Sequence, residues 1–222
     1  MNILITGGLG YVGSVISSHL SKNNKVIIID KLLFNNSQYK KIKNKNITFY
    51  KCDILDFTKV ESIFSKENVD IVIHLAAIVG DPASKAQPEM TKKLNWHASK
   101  KIFNFSKKYN VKKFIFFSTC SNYGLSKKSK LLKENDKLKP LSLYAKTKVD
   151  FEKYLMKDSS IIQKIILRIS TLYGFSHRMR FDLTVNEFIK KMYHKEKLEI
   201  YHKDTWRPYL SLEDLKLMVS KL

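Results

Sequence analysis

The chain is poor in cysteine and in arginine, and it lacks long apolar runs. Its 222 residues include two cysteines, Cys52 and Cys120, far apart and without CxxC spacing, so we predict neither a disulfide framework nor a metal site. Apolar stretches such as residues 69–80 are too short and too interrupted to span a bilayer. The opening residues MNILITGG show no signal-peptide pattern, so we expect a folded start and a reducing, cytoplasmic setting.

The scarcity of arginine limits what the positive charge can mean. The formal net charge is +21, but only four of the 41 basic residues are arginine, and the lysines are scattered in ones and twos. Readout of phosphates and bases favours arginine forks and clustered patches. We therefore interpret the lysines as a solvated surface and predict no specific nucleic-acid partner, with incidental binding at low salt left open.

Short β-favouring runs alternate with longer amphipathic segments, which is typical of parallel βαβ units. We predict an α/β fold, a Rossmann-like doubly wound parallel sheet that binds ligands along the carboxyl ends of its strands. The charged segment 125–139 should be an exposed loop. Strands are predicted at 2–6, 25–30, 47–51, 71–75, 113–117, 162–169 and 198–201, and helices at 11–22, 58–66, 89–109, 144–157, 183–194 and from about 212.

Four of the seven glycines fall in one short stretch, ILITGGLGYVGS. Gly7, Gly10 and Gly13 give the spacing G-x-x-G-x-x-G between a predicted strand and a predicted helix. Glycine lets a backbone turn tightly against a pyrophosphate, while the helix N-terminus supplies unpaired N–H groups and positive dipole. A glycine-rich turn alone is weak evidence, but the strand and helix that flank it favour dinucleotide binding.

Two acidic residues follow the next strands. Asp30 ends the second strand, where a carboxylate accepts hydrogen bonds from an adenosine ribose and repels a 2'-phosphate. We therefore favour NAD over NADP, although Lys31 beside it blurs the choice. Asp53 follows the third strand, where it either meets the adenine edge or caps the next helix.

A tyrosine and a lysine lie one helical turn apart in the stretch LYAKTKVDFEKYL. Tyr144 and Lys148 share a helix face, and the helix follows FSTCSNYG, in which an apolar strand ends in small hydroxyl and thiol side chains. A free tyrosine has a pKa near ~10. A neighbouring ammonium and an oxidised nicotinamide should lower that pKa and make a phenolate base accessible.

The joint pattern resembles a known family. TGGLGYVG, Asp30, HLAA, Asn95, STCSNYG, YAKTK and LRISTLYG occur in the order and spacing of the extended short-chain dehydrogenase/reductases, the NAD-dependent epimerase/dehydratase family that acts on nucleotide sugars. The resemblance implies that Tyr144 is the general base, Lys148 its electrostatic partner, and Thr119 the hydroxyl that bonds the reacting sugar oxygen. The NAD site it implies consists of Gly7, Gly10, Tyr11, Val12, Gly13, Asp30, Asp53, Ile54, Ala76, Ala77 and Lys148.

The resemblance also implies a reaction. The phenolate takes a proton from a sugar hydroxyl while hydride passes to NAD, which leaves a transient keto-sugar. Family dehydratases carry an Asp-Glu pair directly after the threonine, but Cys120 and Ser121 stand there in this chain. A thiol and an unactivated hydroxyl are poor replacements for that acid and base, so epimerisation or oxidation and reduction at one carbon is favoured over dehydration.

The remaining expectations concern the substrate side. FSHRMRFDLTVNEF and WRPYLSLEDL resemble substrate segments of the family, so we predict substrate contacts at Cys120, Ser121, Asn186 and Arg207, with Arg178 and Arg180 as auxiliary cations or surface charges. We assign residues 1–174 to an NAD-binding and catalytic domain and 175–222 to a truncated substrate-binding region. The resemblance further implies a homodimer through a four-helix interface. A non-catalytic or regulatory dinucleotide-binding protein remains the alternative.

Overall fold

The centre of the protein is a six-stranded parallel sheet in the order β3-β2-β1-β4-β5-β6. The computed structural model describes residues 1–34, 38–125, 131–200 and 206–222. The strands are β1 Asn2–Thr6, β2 Lys25–Asp30, β3 Ile47–Lys51, β4 Ile71–His74, β5 Lys113–Thr119 and β6 Gln163–Ile169. The predicted Rossmann-like doubly wound sheet is therefore confirmed.

Helices cover both faces of the sheet. They are α1 Tyr11–Leu20, α2 Gln38–Ile42, α3 Phe57–Glu67, α4 Asp81–Ala86, α5 Pro88–Lys92, α6 Ser99–Lys108, α7 Leu143–Lys157, α8 Thr184–Tyr193 and α9 Leu212–Ser220, with a π-helical segment Lys93–Ala98 and a 3-10 turn Cys120–Tyr123. Because each central strand is buried on both faces, its sequence is a near-continuous apolar run. Two apolar clusters result, one on each side of the sheet.

A second, two-stranded sheet joins the later part of the chain. Strand β7 (Thr171–Tyr173) pairs in parallel with β8 (Tyr209–Ser211), and α9 then packs against α1. The strand predicted at 198–201 is wrong for residues 198–200, which form no regular structure and are mostly exposed; residue 201 lies outside the described residues. The exposed loop predicted at 125–139 is confirmed for residues 131–139, and residues 126–130 lie outside the described part.

The strand order reverses between β1 and β4, which extend in opposite directions from the centre of the sheet. In doubly wound sheets the ligand crevice opens at this switch point, beyond the carboxyl ends of the strands. Those ends bring together the glycine turn after β1, Asp30 at the end of β2, Ala76 after β4 and Thr119 at the end of β5.

Candidate active site

The glycine turn connects β1 to α1 with little room to spare. Gly7 has φ of +71°, and a Cβ there would lie 2.9 Å from the backbone nitrogen of Ala76. A Cβ on Gly13 would lie 2.1 Å from the carbonyl oxygen of Gly7. Helix α1 begins after Gly10 and has no side-chain cap, so its first N–H groups are open to an anionic ligand.

Asp30 and Asp53 lie at the neighbouring strand ends. The Asp30 carboxylate accepts hydrogen bonds from the backbone nitrogens of Leu9 (3.1 Å) and Leu32 (2.9 Å). Burial raises the pKa of Asp30 and these bonds partly offset the shift. Asp53 pairs with Lys31 at 2.9 Å and accepts the Leu55 N–H. Of the two roles left open for Asp53, the helix cap is wrong, because Asp56 caps α3.

The other residues assigned to the cofactor lie around this turn. Ala76 and Ala77 follow β4 and are half-buried, and Ile54 is buried in the core behind Asp53. Val12 is half-buried in the first turn of α1. The Tyr11 phenol instead points to a later segment, where it donates to the Gly174 carbonyl (2.9 Å) and accepts from Asn186 (2.9 Å).

Thr119 and Tyr144 meet at the end of β5. Ser142 caps α7 by accepting the Ala145 N–H at 3.2 Å, and this places Tyr144 in the first turn facing the strand end. The phenol hydrogen-bonds the Thr119 hydroxyl, and burial raises the pKa of Tyr144 to about 12. The Thr119 bond and the charge of Arg180 oppose that shift. The expectation that Lys148 lowers this pKa is not met in the ligand-free protein, because burial dominates.

Lys148 lies one turn further along α7, beneath the strand end. Its ammonium donates to the Phe117 carbonyl at 2.8 Å and lies 5.9 Å from the centre of the Tyr144 ring. Burial lowers the pKa of Lys148 to about 7, and the nearby charge of Glu152 opposes the shift. The three predicted catalytic side chains are therefore together, with the lysine close to its titration point at neutral pH.

A buried polar network lies behind the catalytic residues, and the sequence analysis did not find it. Glu152, one turn after Lys148, receives three Arg168 hydrogen bonds of 2.8–3.2 Å. It also accepts from Asn122 at 2.7 Å and from the Ser118 hydroxyl. The spacing of Glu152 from Lys148 and the rarity of arginine were the available signals. This network fixes the residues on either side of Thr119.

Two further polar residues hold the end of β4. His74 bonds the hydroxyls of Thr6 (2.7 Å) and Ser99 (2.9 Å), and burial lowers the pKa of His74 to about 3. Asn95, in the π-helical segment, bonds both the N–H and the carbonyl of Ile78 at 2.9 Å. Both residues have structural roles here, since their polar atoms are used to position the backbone around Ala76.

The predicted substrate residues are distributed over two places. Asn186 is buried and bonds Tyr11, Gly174 and Arg180, so its amide is largely occupied inside the protein. Cys120 and Ser121 form the turn after Thr119, where burial raises the pKa of the Cys120 thiol and the charge of Arg207 opposes the shift. Arg207 itself is exposed. The structure thus brings Arg207 towards Cys120 and leaves Asn186 on the far side of the glycine helix.

Two searches of the described residues found nothing. No cluster of histidine, cysteine and carboxylate side chains suited to a metal ion occurs among them. Across the same residues, every helix falls short of the length and hydropathy that a bilayer crossing requires.

Comparison with known proteins gives consistent matches. The family model described as "NAD dependent epimerase/dehydratase family" matches residues 3–220. A dTDP-D-glucose 4,6-dehydratase of Dictyostelium discoideum is 32% identical over 96% of this chain and 53% of its own length. The chain spans between about half and two thirds of the first curated relatives it matches.

Solved structures match equally well. A UDP-N-acetylglucosamine 4-epimerase from Methanobrevibacter ruminantium is 31% identical, with a TM-score of 0.86 over 97% of this chain and 70% of its own. A UDP-glucuronic acid 4-epimerase from Bacillus cereus, solved with UDP-glucuronic acid and NAD, is 30% identical, with a TM-score of 0.84 over 99% and 72%.

Proposed function

This chain belongs to the NAD-dependent epimerase/dehydratase family, and from that premise we propose that it is a nucleotide-sugar epimerase that uses NAD. The observation that carries the proposal is the hydrogen bond between Thr119 and Tyr144 at the end of β5, with Lys148 beneath it. This trio lies at the same sheet edge as the glycine turn. A base, its hydroxyl partner and a dinucleotide cradle are the groups that reversible hydride chemistry on a sugar needs.

The residues around the glycine turn fit a dinucleotide. A Cβ at Gly7 or Gly13 would collide with backbone atoms, so the turn approaches its neighbours and a ligand as closely as glycine alone allows. We assign the pyrophosphate to this turn and the adenosine ribose to Asp30. Asp53, Ile54, Ala76 and Ala77 would line the rest of the site, and Lys148 the nicotinamide ribose. When bound, NAD accepts a hydride from the sugar carbon and returns it.

The protein's own residues handle the proton. With a pKa of about 12, Tyr144 keeps its proton at neutral pH until a positive charge is bound beside it. Once ionised, its Oη takes the proton of the sugar hydroxyl and gives it back when the carbon is reduced. Thr119 holds the phenol and the reacting oxygen in line, while the Lys148 ammonium favours the ionised phenol. Epimerisation requires no further acid or base.

The choice of epimerisation rests on the turn after Thr119. Although one relative is named a 4,6-dehydratase, Cys120 and Ser121 stand where elimination would need an acid and a base. The raised pKa of Cys120 keeps its thiol protonated and non-basic at neutral pH. Because the solved relatives described above are UDP-sugar 4-epimerases, we propose a UDP-hexose substrate and inversion at its C4 carbon. Cys120, Ser121, Asn186 and Arg207 are its proposed contacts.

The test is a turnover assay with a matched variant. The protein, supplied with NAD, is incubated with UDP-glucose, UDP-N-acetylglucosamine and UDP-glucuronic acid, and C4 epimers are separated by chromatography. We expect one of them to be converted, and Tyr144→Phe to lower turnover by about 10²–10⁴-fold with NAD affinity unchanged. NAD binding without conversion of any sugar would instead support the alternative, a non-catalytic dinucleotide-binding protein. Failure to bind NAD would contradict both.

We further propose the division and assembly expected from the sequence. Residues 1–174 carry the cofactor and catalytic groups, and residues 175–222 contribute to the substrate side. A groove of about 640 Å³ between the π-helical segment and α7 is the proposed homodimer surface. Trp96 and Tyr154 line it together with Lys92, Lys146, Lys153 and Lys157. Because a two-fold axis would bring like charges together, light scattering should show a dimer that tightens as salt rises.

A further inference from the structure

Arg178 lies at the cofactor end of the site and not at the sugar end. Its guanidinium carbon is 3.8 Å from the centre of the Phe34 ring, and Phe34 follows β2 a few residues after Asp30. A cation this close to an aromatic face is held there by the ring's quadrupole. The contact joins the segment between β7 and α8 to the strand end that carries the predicted ribose carboxylate. We refer to Asp30, Lys31, Phe34, Asp53 and Arg178 as the ribose corner.

The backbone of Arg178 is tied to the helix that begins at the glycine turn. Its N–H donates to the Ser176 hydroxyl at 3.2 Å, and that hydroxyl donates to the Tyr11 carbonyl at 2.7 Å. Ser176 is buried and also bonds Ser14 of α1 at 2.9 Å. The arginine is therefore anchored on the same helix whose N-terminus faces the cofactor, and its position does not depend on a sugar being bound.

The charges of the ribose corner are unusually balanced for a site that selects against a 2'-phosphate. Asp30 is held by two backbone N–H groups, and Arg178 lies near enough for its charge to lower the pKa of that carboxyl. Lys31 pairs with Asp53 instead. Arg180, two residues further on, is paired with Asp182. Among the described residues, the Arg178 guanidinium makes no ion pair or side-chain hydrogen bond of its own, so its donors remain available.

We propose that Arg178 determines cofactor specificity by offering its guanidinium to the 2'-position of the adenosine ribose, so that the ribose corner accepts NADP as well as NAD. A carboxylate alone at this position repels a 2'-phosphate, whereas an arginine beside it accommodates one. A guanidinium gives a phosphate charge-assisted, bidentate hydrogen bonds. The inference rests on the proposed function only in requiring that the chain binds a dinucleotide.

The experiment compares NADH and NADPH affinities by fluorescence titration of the full chain. For the unaltered protein we expect the two dissociation constants to lie within about tenfold of each other, and Arg178→Ala to weaken NADPH binding by about tenfold or more with NADH changed less than about threefold. The matched control is Lys190→Ala, which removes another cation held on an aromatic ring, Phe181, at 5.3 Å. It should change neither affinity.

Arg178→Lys provides a second variant if the alanine protein is poorly folded. Lysine keeps the charge but loses the planar fork, so NADPH affinity should fall between those of the other two proteins. The proposal is overturned if the unaltered protein binds NADH but not NADPH at comparable concentrations, or if Arg178→Ala weakens both cofactors equally or neither. Binding of neither cofactor to the unaltered protein would instead contradict the proposed function itself.

Discussion

The two sides of the candidate site present their functional groups by different means. On the β1–β2 side, the ligand-facing groups are largely backbone: the turn of Gly7 and Gly13, and the N–H groups that hold Asp30. On the β5–β6 side, they are buried side chains, namely Tyr144 and Lys148 with Glu152 behind them. The first side is shaped by close backbone contact, and the second by charges removed from water.

This difference predicts how each side responds to change. Where backbone atoms leave no space, an added methyl group is harmful whatever its polarity. Where charges are buried, the loss of one partner leaves the other without compensation. Effects on the β5–β6 side should therefore depend on charge and pH, and effects on the β1–β2 side on volume.

The largest expected loss of stability comes from Glu152→Ala. This change leaves the Arg168 guanidinium, which is 16% exposed, without its carboxylate. We expect the free energy of unfolding to fall by about 3–5 kcal/mol in urea titrations. Glu61→Ala is the matched control, because it breaks an ion pair with Lys108 at the surface and should change little. An equal effect of both variants would show that burial is not what gives Glu152 its importance.

The next effect is the reverse in sign and depends on pH. Because the pKa of Lys148 falls from 10.5 to about 7 on folding, the folded protein binds fewer protons than the unfolded chain between those values. Stability should therefore rise with pH from about 7 to about 10.5, the cost of the buried cation being fully present below 7. Lys148→Met should be more stable than the unaltered protein at pH ~6, by about 1–4 kcal/mol, although inactive.

Thermal unfolding of both proteins at several pH values checks this. The gap between Lys148→Met and the unaltered protein should narrow as pH rises through the window. A gap that stays constant would mean that the lysine is not titrating within the fold.

A smaller effect separates two glycines on the β1–β2 side. A Cβ on Gly13 would approach the Gly7 carbonyl oxygen to 2.1 Å, whereas one on Gly10 would stay 3.3 Å away. We expect Gly13→Ala to cost about 1–3 kcal/mol of stability and to abolish detectable dinucleotide binding, with Gly10→Ala much milder in both. Calorimetry of unfolding and of NADH binding measures the pair. Similar behaviour of the two variants would contradict a steric origin.

The smallest effect concerns the two aspartates after β3. Asp56 accepts the Lys59 N–H at 3.1 Å and caps α3, so Asp56→Ala should cost about 1 kcal/mol of stability with NADH affinity unchanged. Asp53→Ala should do the opposite, with a smaller loss of stability and weaker NADH binding, because Asp53 is assigned to the adenosine. If Asp53→Ala left NADH affinity intact, that assignment would be wrong.

Local sequence predicted most of the sheet because its strands are continuous apolar runs. The bounds of β1, β2 and β3 agree with the predicted ones, and the long helix predicted at 89–109 corresponds to α5, the π-helical segment and α6. Strands β7 and β8 were missed, because three residues carry little periodicity and the two strands pair across 38 residues, for example Thr171 with Tyr209. Strand formation in such cases is decided by tertiary contact rather than by local propensity.

The site was predictable where a motif carries its own chemistry. Glycine spacing, an acidic residue after β2 and a Tyr-x-x-x-Lys helix were sufficient to locate the groups at one sheet edge. The Glu152–Arg168 pair and the Phe34–Arg178 contact join residues that are distant in sequence, and no local pattern announces them. The raised pKa of Tyr144 was also unpredictable, since it arises from burial that only the fold defines.

The contacts of Tyr11 and Ser14 with residues 174–176 have a consequence for how the chain folds. These hydrogen bonds join residues 162 and 163 positions apart, and α9 packs on α1 from still further along the sequence. Ordering so long a loop is entropically costly until the sheet between its ends has formed. We therefore expect α8 and α9 to dock last in refolding, and the anchor of Arg178 to be among the first structures lost when the native state opens locally.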